Sequence, residues 1–193
     1  MDIDTSQIYF PAEDTYLLIK AARAEVQPTD RVLEIGTGSG AVAKSVSEIT
    51  PVVVAVEINP HAARYAHEVN GIEVIRGNLF DPICGEFDLI LFNAPYLPTD
   101  PAERFDDWLE YALDGGPSGR EVVGRFLCEA PARLSTFGRI LLLVSSLTGI
   151  HEILNLCHAQ GFIALVAAEE RQEDGEILYV LRISRDLCSL CGT

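Results

Sequence analysis

The 193-residue sequence is short of positive charge: 14 Lys and Arg stand against 29 Asp and Glu, a formal net charge of −15. A surface of that sign repels a phosphate backbone unless a local basic stripe offsets it. No such stripe is present, because Arg120, Arg125, Arg133 and Arg139 are spaced out among apolar residues, as on half-solvated elements. Direct nucleic-acid binding is therefore not expected. Long apolar runs are missing too. The longest, around residues 140–147, is far below the ~18 residues of a membrane span, so no membrane association is expected. The chain starts Met1-Asp2-Ile3-Asp4 with no basic leader ahead of an apolar stretch, which makes the cytoplasm the expected compartment. Its five cysteines, an odd and scattered set, fit a reducing environment. Cys188-Ser-Leu-Cys191 is a lone C-x-x-C whose two thiolates do not complete a tetrahedral zinc site, and His61, His67, His151 and His158 lack metal-ligand spacing. No metal is expected. No internal repeat or low-complexity segment appears, and the length suits one domain with a well-filled core.

What is present is concentrated in Arg31-Val-Leu-Glu-Ile-Gly-Thr-Gly-Ser-Gly40, which reads as strand, tight glycine turn and the start of a helix. Gly36, Gly38 and Gly40 reach backbone angles closed to other residues and let a ligand press against the main chain. A G-x-G after a strand is shared by dinucleotide-binding folds and S-adenosylmethionine (SAM) methyltransferases. The spacing here, G-x-G-x-G, lacks the third glycine of the dinucleotide fingerprint, and Glu34 sits just before the turn. An acid there suits the ammonium group of SAM better than the phosphates of a dinucleotide.

The rest of the chain alternates strand and helix. Residues 9–26 read as a helix with Pro11 and acids near its start. Residues 52–57 form an apolar strand of the kind buried on both faces; it ends in Glu57, and Asn59-Pro60 caps the next helix. Further strands are expected at 72–76, 87–92 and 139–145, with helices at 120–134, bent or ended by Pro131, and at 148–160. Residues 162–169 and 176–183, joined by a connection ending Asp-Gly, suit an antiparallel hairpin. Short crossovers predict a parallel sheet with helices on both sides and ligands at the carboxyl ends of its strands. Glu34, Glu57, Asn78 and Asn93 all fall at such ends. Residues 101–119, polar and carrying Trp108 and Tyr111, are too long and aromatic for a plain connector and are expected to form a substrate lid.

Four segments, Tyr9-Phe-Pro-Ala-Glu-Asp-Thr15, Leu33-Glu-Ile-Gly-Thr-Gly-Ser-Gly40, Val56-Glu-Ile-Asn-Pro60 and Phe92-Asn-Ala-Pro-Tyr96, resemble in order and spacing the HemK-related protein glutamine N5-methyltransferases. The similarity covers nearly the whole chain, including Asp114-Gly-Gly-Pro-Ser-Gly-Arg-Glu121, and is nearest to the short eukaryotic and archaeal branch without a separate N-terminal substrate domain. It implies an α/β, Rossmann-like class I methyltransferase fold: a seven-stranded, mostly parallel sheet with a C-terminal antiparallel hairpin and helices on both faces. It implies a single domain over residues 1–193, with 1–28 covering cofactor and substrate and 188–193 a loose tail. SAM is the implied donor and S-adenosylhomocysteine the product. The implied substrate is the Gly-Gly-Gln loop of a class 1 translation termination (release) factor. The implied partner is a small zinc-binding activator that adds a strand between Ile72 and Leu79.

Residue by residue, the resemblance assigns Gly36, Thr37, Gly38 and Gly40 to the methionyl part of the donor. Glu57, with Ile58, is assigned to the ribose, Asn78 and Leu79 to the adenine, and Glu34 and Thr15 to the amino-acid end. A glutamine amide nitrogen is a feeble nucleophile, since its lone pair is delocalised into the carbonyl. Asn93 Oδ1 and the Ala94 carbonyl would accept its two hydrogens and aim the nitrogen, with Tyr96 packing on the flat amide; Pro95 belongs to the same catalytic set, and Asn93 counts among the cofactor-binding residues as well. Such catalysis rests on positioning and on acceptors facing the developing positive charge. No general base is obligatory. Two positions depart from the family pattern: Ala94 stands where proline is usual, and Asn78 where aspartate is common. Competing readings are a nucleic-acid adenine or guanine amino-methyltransferase, a protein lysine methyltransferase, and a SAM-binding scaffold without turnover.

Overall fold

A computed structural model describes residues 2–99 and 107–185. Its sheet contains β1 (Arg31–Ile35), β2 (Val52–Glu57), β3 (Glu73–Arg76), β4 (Phe87–Asn93), β5 (Leu134–Ser145), β6 (Ile163–Arg171) and β7 (Ile177–Ser184), in the order β3-β2-β1-β4-β5-β7-β6. β1 to β5 run parallel, and β7 is antiparallel to both β5 and β6. The Rossmann-like methyltransferase topology and its C-terminal hairpin are as expected. The chain winds outward from β1 to β3, then returns to place β4 on the other side of β1. That reversal opens a crevice at the carboxyl ends of β1 and β4.

Among the described residues the helices are α1 (Glu13–Glu25), α2 (Ala41–Ser47), α3 (Pro60–Glu68), α4 (Trp108–Tyr111), α5 (Glu121–Glu129) and α6 (Ile150–Ala159), of which all but the four-residue α4 cover the faces. Successive side chains along a strand point to opposite faces, and here both faces are covered. Val32, Leu89, Leu91, Leu141 and Val180 pack under Leu17, Leu18 and Val46 on one side. Their chain neighbours Leu33, Ile90, Leu142 and Leu181 pack under Val123, Phe126 and Ile153 on the other. Two buried faces explain why these strands read as unbroken apolar runs. The Asn59 side chain accepts from the backbone N–H of His61 and Ala62, with Pro60 opening α3, as the sequence predicts.

Two starts and one burial pattern differ, and the helix expected at 120–134 spans only Glu121–Glu129. Residues 9–12 precede α1 rather than belonging to it, since α1 starts at Glu13. β2 is buried only in its second half, Val52 being 46% exposed. β5 begins five residues before Arg139, but its early part is joined to β4 through a register shift between Phe87 and Leu89, and Phe137 stands exposed. A stretch without alternating burial leaves no periodic signal.

At the amino ends of the strands an ionic cluster secures α1. Arg139 donates to Asp30 Oδ2 at 2.8 Å, to Glu25 Oε2 at 3.3 Å and to the Glu25 carbonyl, while Arg182 Nε donates to the same Glu25 oxygen at 3.0 Å. Cys188 and Cys191, and the tail expected at 188–193, lie outside the described residues. So does the first part of the expected lid. Among the described residues no helix is long and apolar enough to cross a membrane.

Candidate active site

A cavity of about 400 Å³ opens at the carboxyl ends of β1, β2 and β4. Its floor is the glycine turn. Gly36 N–H donates to the Val56 carbonyl at 2.8 Å, and Gly36 and Gly38 adopt φ of +62° and +54°. A Cβ at Gly38 would lie 3.2 Å from the Tyr9 carbonyl oxygen, so a bare backbone lets the N-terminal segment close over the turn. Gly40 serves the packing instead. It stands outside the cavity wall, caps α2 at φ +84°, and a Cβ there would meet the Ala66 Cβ at 2.8 Å. The missing side chain lets α2 and α3 approach each other.

Two buried carboxylates end the strands next to this turn. Glu34 Oε2 accepts from Thr37 Oγ1 at 2.5 Å and from Ala43 N–H at 2.9 Å; burial pushes its carboxyl up to about 8. Glu57 accepts from Gly38 N–H at 2.7 Å through one oxygen and from Asn59 N–H at 2.9 Å through the other, and burial raises its pKa as well. Neither meets a basic side chain among the described residues. Desolvated acids held only by N–H and O–H donors favour their neutral form until a cationic guest arrives, whose charge would restore the carboxylate and pair with it. Asn78 and Leu79 form the adjoining wall, and Leu79 takes the left-handed conformation, φ +48°. That conformation costs a non-glycine residue energy and is characteristic of ligand clamps.

The opposite rim is the segment after β4. Asn93 Nδ2 donates to Asp14 Oδ2 at 2.9 Å, and the Asp14 carboxylate also accepts from the Tyr9 hydroxyl at 2.9 and 3.0 Å and from Thr15 N–H at 2.5 Å. Tyr9 and Tyr96 are both driven toward the protonated form, by burial first and by the Asp14 charge second. Residues 113–119 lace against this segment: Leu97 N–H donates to the Leu113 carbonyl, and Gly115 N–H to the Leu97 carbonyl. A Cβ at Gly119 would sit 2.6 Å from the Tyr96 carbonyl oxygen, which explains the glycine-rich run Asp114-Gly-Gly-Pro-Ser-Gly119. The N-terminal segment straps the two halves together. Asn59 Nδ2 donates to the Gln7 carbonyl at 2.6 Å, and Trp108 N–H donates to Gln7 Oε1 at 2.9 Å.

Thr15, Glu34, Gly36, Thr37, Gly38, Glu57, Ile58, Asn78, Leu79, Asn93, Ala94, Pro95 and Tyr96 thus line one cavity, with Trp108 and Tyr111 at its mouth. Sequence reasoning missed Tyr9, Asp14 and Gln7. The Tyr9 to Thr15 motif was visible, but an acid in the first turn of a helix is explained equally well by the helix dipole. Its partner, Asn93, lies 79 residues away.

No protein-family model matches the chain. It is 38% identical over 180 residues to a Methanocaldococcus jannaschii protein named for protein N5-glutamine methylation, spanning 90% of each chain. It is 36% identical to the mouse methyltransferase HEMK2, over 92% of this chain and 90% of that one. Among solved structures it is similar to a chain of the E. cuniculi Mtq2–Trm112 complex, responsible for methylation of the eRF1 translation termination factor. The TM-score there is 0.77, with 27% identity over 93% of this chain and 99% of that one. Identity at this level over nearly the full length of both chains, joined to a glycine turn, two acid-tipped strands and an Asn-Ala-Pro-Tyr rim on one cavity, places the chain in the HEMK2 family of SAM-dependent protein N5-glutamine methyltransferases.

Proposed function

We propose that this chain transfers the SAM methyl group to the side-chain amide nitrogen of a glutamine in the Gly-Gly-Gln loop of a class 1 release factor. The observation that carries this reading is the juxtaposition within one cavity of the acid-lined glycine floor and the Asn93 carboxamide. The floor fits the donor: two buried carboxylates without basic partners suit a ligand with an ammonium, a sulfonium and vicinal ribose hydroxyls, and bare glycine backbone admits close approach. When bound, the donor supplies an electrophilic methyl carbon. Gly36, Thr37 and Gly38 take the methionyl part, Glu34 and Thr15 the amino-acid end, Glu57 and Ile58 the ribose, and Asn78 and Leu79 the adenine. The amide in place of a carboxylate at Asn78 faces a neutral ring.

On the substrate side, Asn93 Oδ1 and the Ala94 carbonyl accept the two amide hydrogens, and Tyr96 packs on the amide plane beside Pro95. The carbonyl is unaffected by alanine at position 94. With the donor bound, its methyl carbon would be open to displacement by the amide nitrogen, the sulfur leaving as the thioether and one amide proton passing to solvent, so the chain's own part is positioning and electrostatics.

The chain works in this reading as one methyltransferase domain in the cytoplasm, with residues 1–28 as its cover. A small zinc-binding activator pairs along β3 between Ile72 and Leu79. β3 is one of the two edge strands, and Ile75 within it is 40% exposed, an apolar edge that a partner strand would cover. The deciding experiment offers labelled SAM with a release factor, RNA, DNA and a lysine-bearing peptide, with and without the activator, and maps the modified atom by mass spectrometry. A methyl group on the Gly-Gly-Gln amide nitrogen supports the proposal. A methyl group on lysine or a nucleobase, or donor binding without transfer, overturns it.

A further inference from the structure

A terminal carboxamide is nearly symmetric in shape, so a half-turn about its last bond exchanges oxygen and nitrogen at little steric cost. What lies next to Asn93 must therefore decide whether an acceptor or a donor faces the substrate. We infer that Asp14 is the positioning residue that decides it, with Tyr9 holding Asp14 in place. This rests on the glutamine reading of the site.

The Asp14 carboxylate is 4% exposed and ringed by donors: Asn93 Nδ2 at 2.9 Å, the Tyr9 hydroxyl at 2.9 and 3.0 Å, Thr15 N–H at 2.5 Å and Thr15 Oγ1 at 3.1 Å. A carboxylate can only accept. Were Asn93 flipped, its oxygen would face that anion and its NH₂ would face the substrate amide hydrogens. Both contacts would be repulsive. Asp14 thus pins the nitrogen, leaves Oδ1 as the remaining face of the carboxamide, and polarises that oxygen toward a better acceptor. The Tyr9 hydroxyl, driven toward its protonated form by burial and by the carboxylate, spends its hydrogen on Asp14 and holds the carboxylate where Asn93 Nδ2 reaches it. The far end of α1 is tied to β5 and β7 by Arg139 and Arg182, which fixes the height at which Asp14 meets Asn93.

Asp14→Asn keeps the volume but presents NH₂ to at least one of these donors, which frees the Asn93 amide to flip. The test uses the full chain, with its activator if turnover requires one. kcat for glutamine methylation is expected to fall about 10- to 100-fold while KM for SAM and Kd for S-adenosylhomocysteine stay within about twofold; Tyr9→Phe gives a smaller loss of the same form. In an Asn93→Ala background, Asp14→Asn costs no further activity, because the two residues act as one unit. Independently of turnover, ¹⁵N NMR of asparagine-labelled protein reads the Asn93 side-chain NH₂ signal, expected as one shifted, exchange-protected pair that loses both properties in Asp14→Asn. If that variant fails to fold, Tyr9→Phe is read by the same signal and the same kcat and KM split. An unperturbed Asn93 signal, a kcat within twofold of wild type, or a loss of S-adenosylhomocysteine affinity in step with kcat overturns the inference. A wild-type chain that methylates no glutamine overturns the functional reading instead, and leaves the NMR result standing.

Discussion

The two ends of the parallel sheet use the same residue types in opposite ways. At the amino ends, the buried or half-buried acids Glu25, Asp30 and Asp88 are each paired with arginine, Arg139, Arg182 or Arg31. At the carboxyl ends Asp14, Glu34 and Glu57 are buried just as deeply or more so, yet backbone N–H groups, hydroxyls and one carboxamide satisfy them. Neutralised charge holds elements together. Burial without a basic partner raises the carboxyl pKa of Glu34 and Glu57 and leaves both able to pair with a cationic ligand, at some expense in stability. Substitutions at the two ends should therefore separate folding from function.

The largest effect is expected at the carboxyl end. Asn93→Ala should lower kcat by about a thousandfold, the upper range for a single electrostatic contact to the reacting group, with S-adenosylhomocysteine affinity by calorimetry and thermal midpoint nearly unchanged. Next comes the amino end: Arg139→Met strands Asp30 without its arginine and should destabilise the chain by ~3–5 kcal/mol in urea titration. Per folded molecule, methylation at low temperature should stay within about twofold. If activity collapses while stability holds, the division between the two ends is wrong.

A smaller effect sharpens the contrast through pH. Glu34 keeps its proton in the fold up to about 8, against an ordinary 4.5. Its contribution to stability is therefore full below the unfolded value and is lost as pH rises from 4.5 through 8. The thermal midpoint of wild type should fall over that window relative to Glu34→Gln, which has no carboxyl to ionise; parallel curves for the two would refute the claim. Asp88 shows the reverse sign. Hydrogen bonding from Arg31, ahead of all other causes, holds its carboxyl at about 2 against an ordinary 3.8, so its contribution is present above 3.8 and is lost as pH falls toward 2. This pair is largely solvated, so Arg31→Ala should cost less than about 1 kcal/mol at neutral pH, and that difference from wild type should shrink toward zero as pH falls to 2 and below.

Much of this was legible because it is local. The glycine turn, the Asn59-Pro60 cap, the acids at the tips of β1 and β2 and the Asn-Ala-Pro-Tyr segment all depend on residues a few positions apart, and apolar runs with the turn signals between them located every strand at least in part. Gly40 shows the limit of local spacing. Its spacing matches Gly36 and Gly38, but its neighbour is Ala66, 26 residues on in the sequence. Likewise nothing near Asp14 in the chain announces Asn93, and nothing near Gln7 announces Asn59 or Trp108.

The sequence by itself determined the order of elements, the doubly covered sheet and the stretches whose backbone must end at a ligand, because hydrogen-bond periodicity and steric limits act between near neighbours. Only the tertiary structure decided which acids are neutralised and which are left bare, and which way round the Asn93 carboxamide lies. Those outcomes depend on distances between groups tens of residues apart, and such distances exist only once the sheet has brought its strands together.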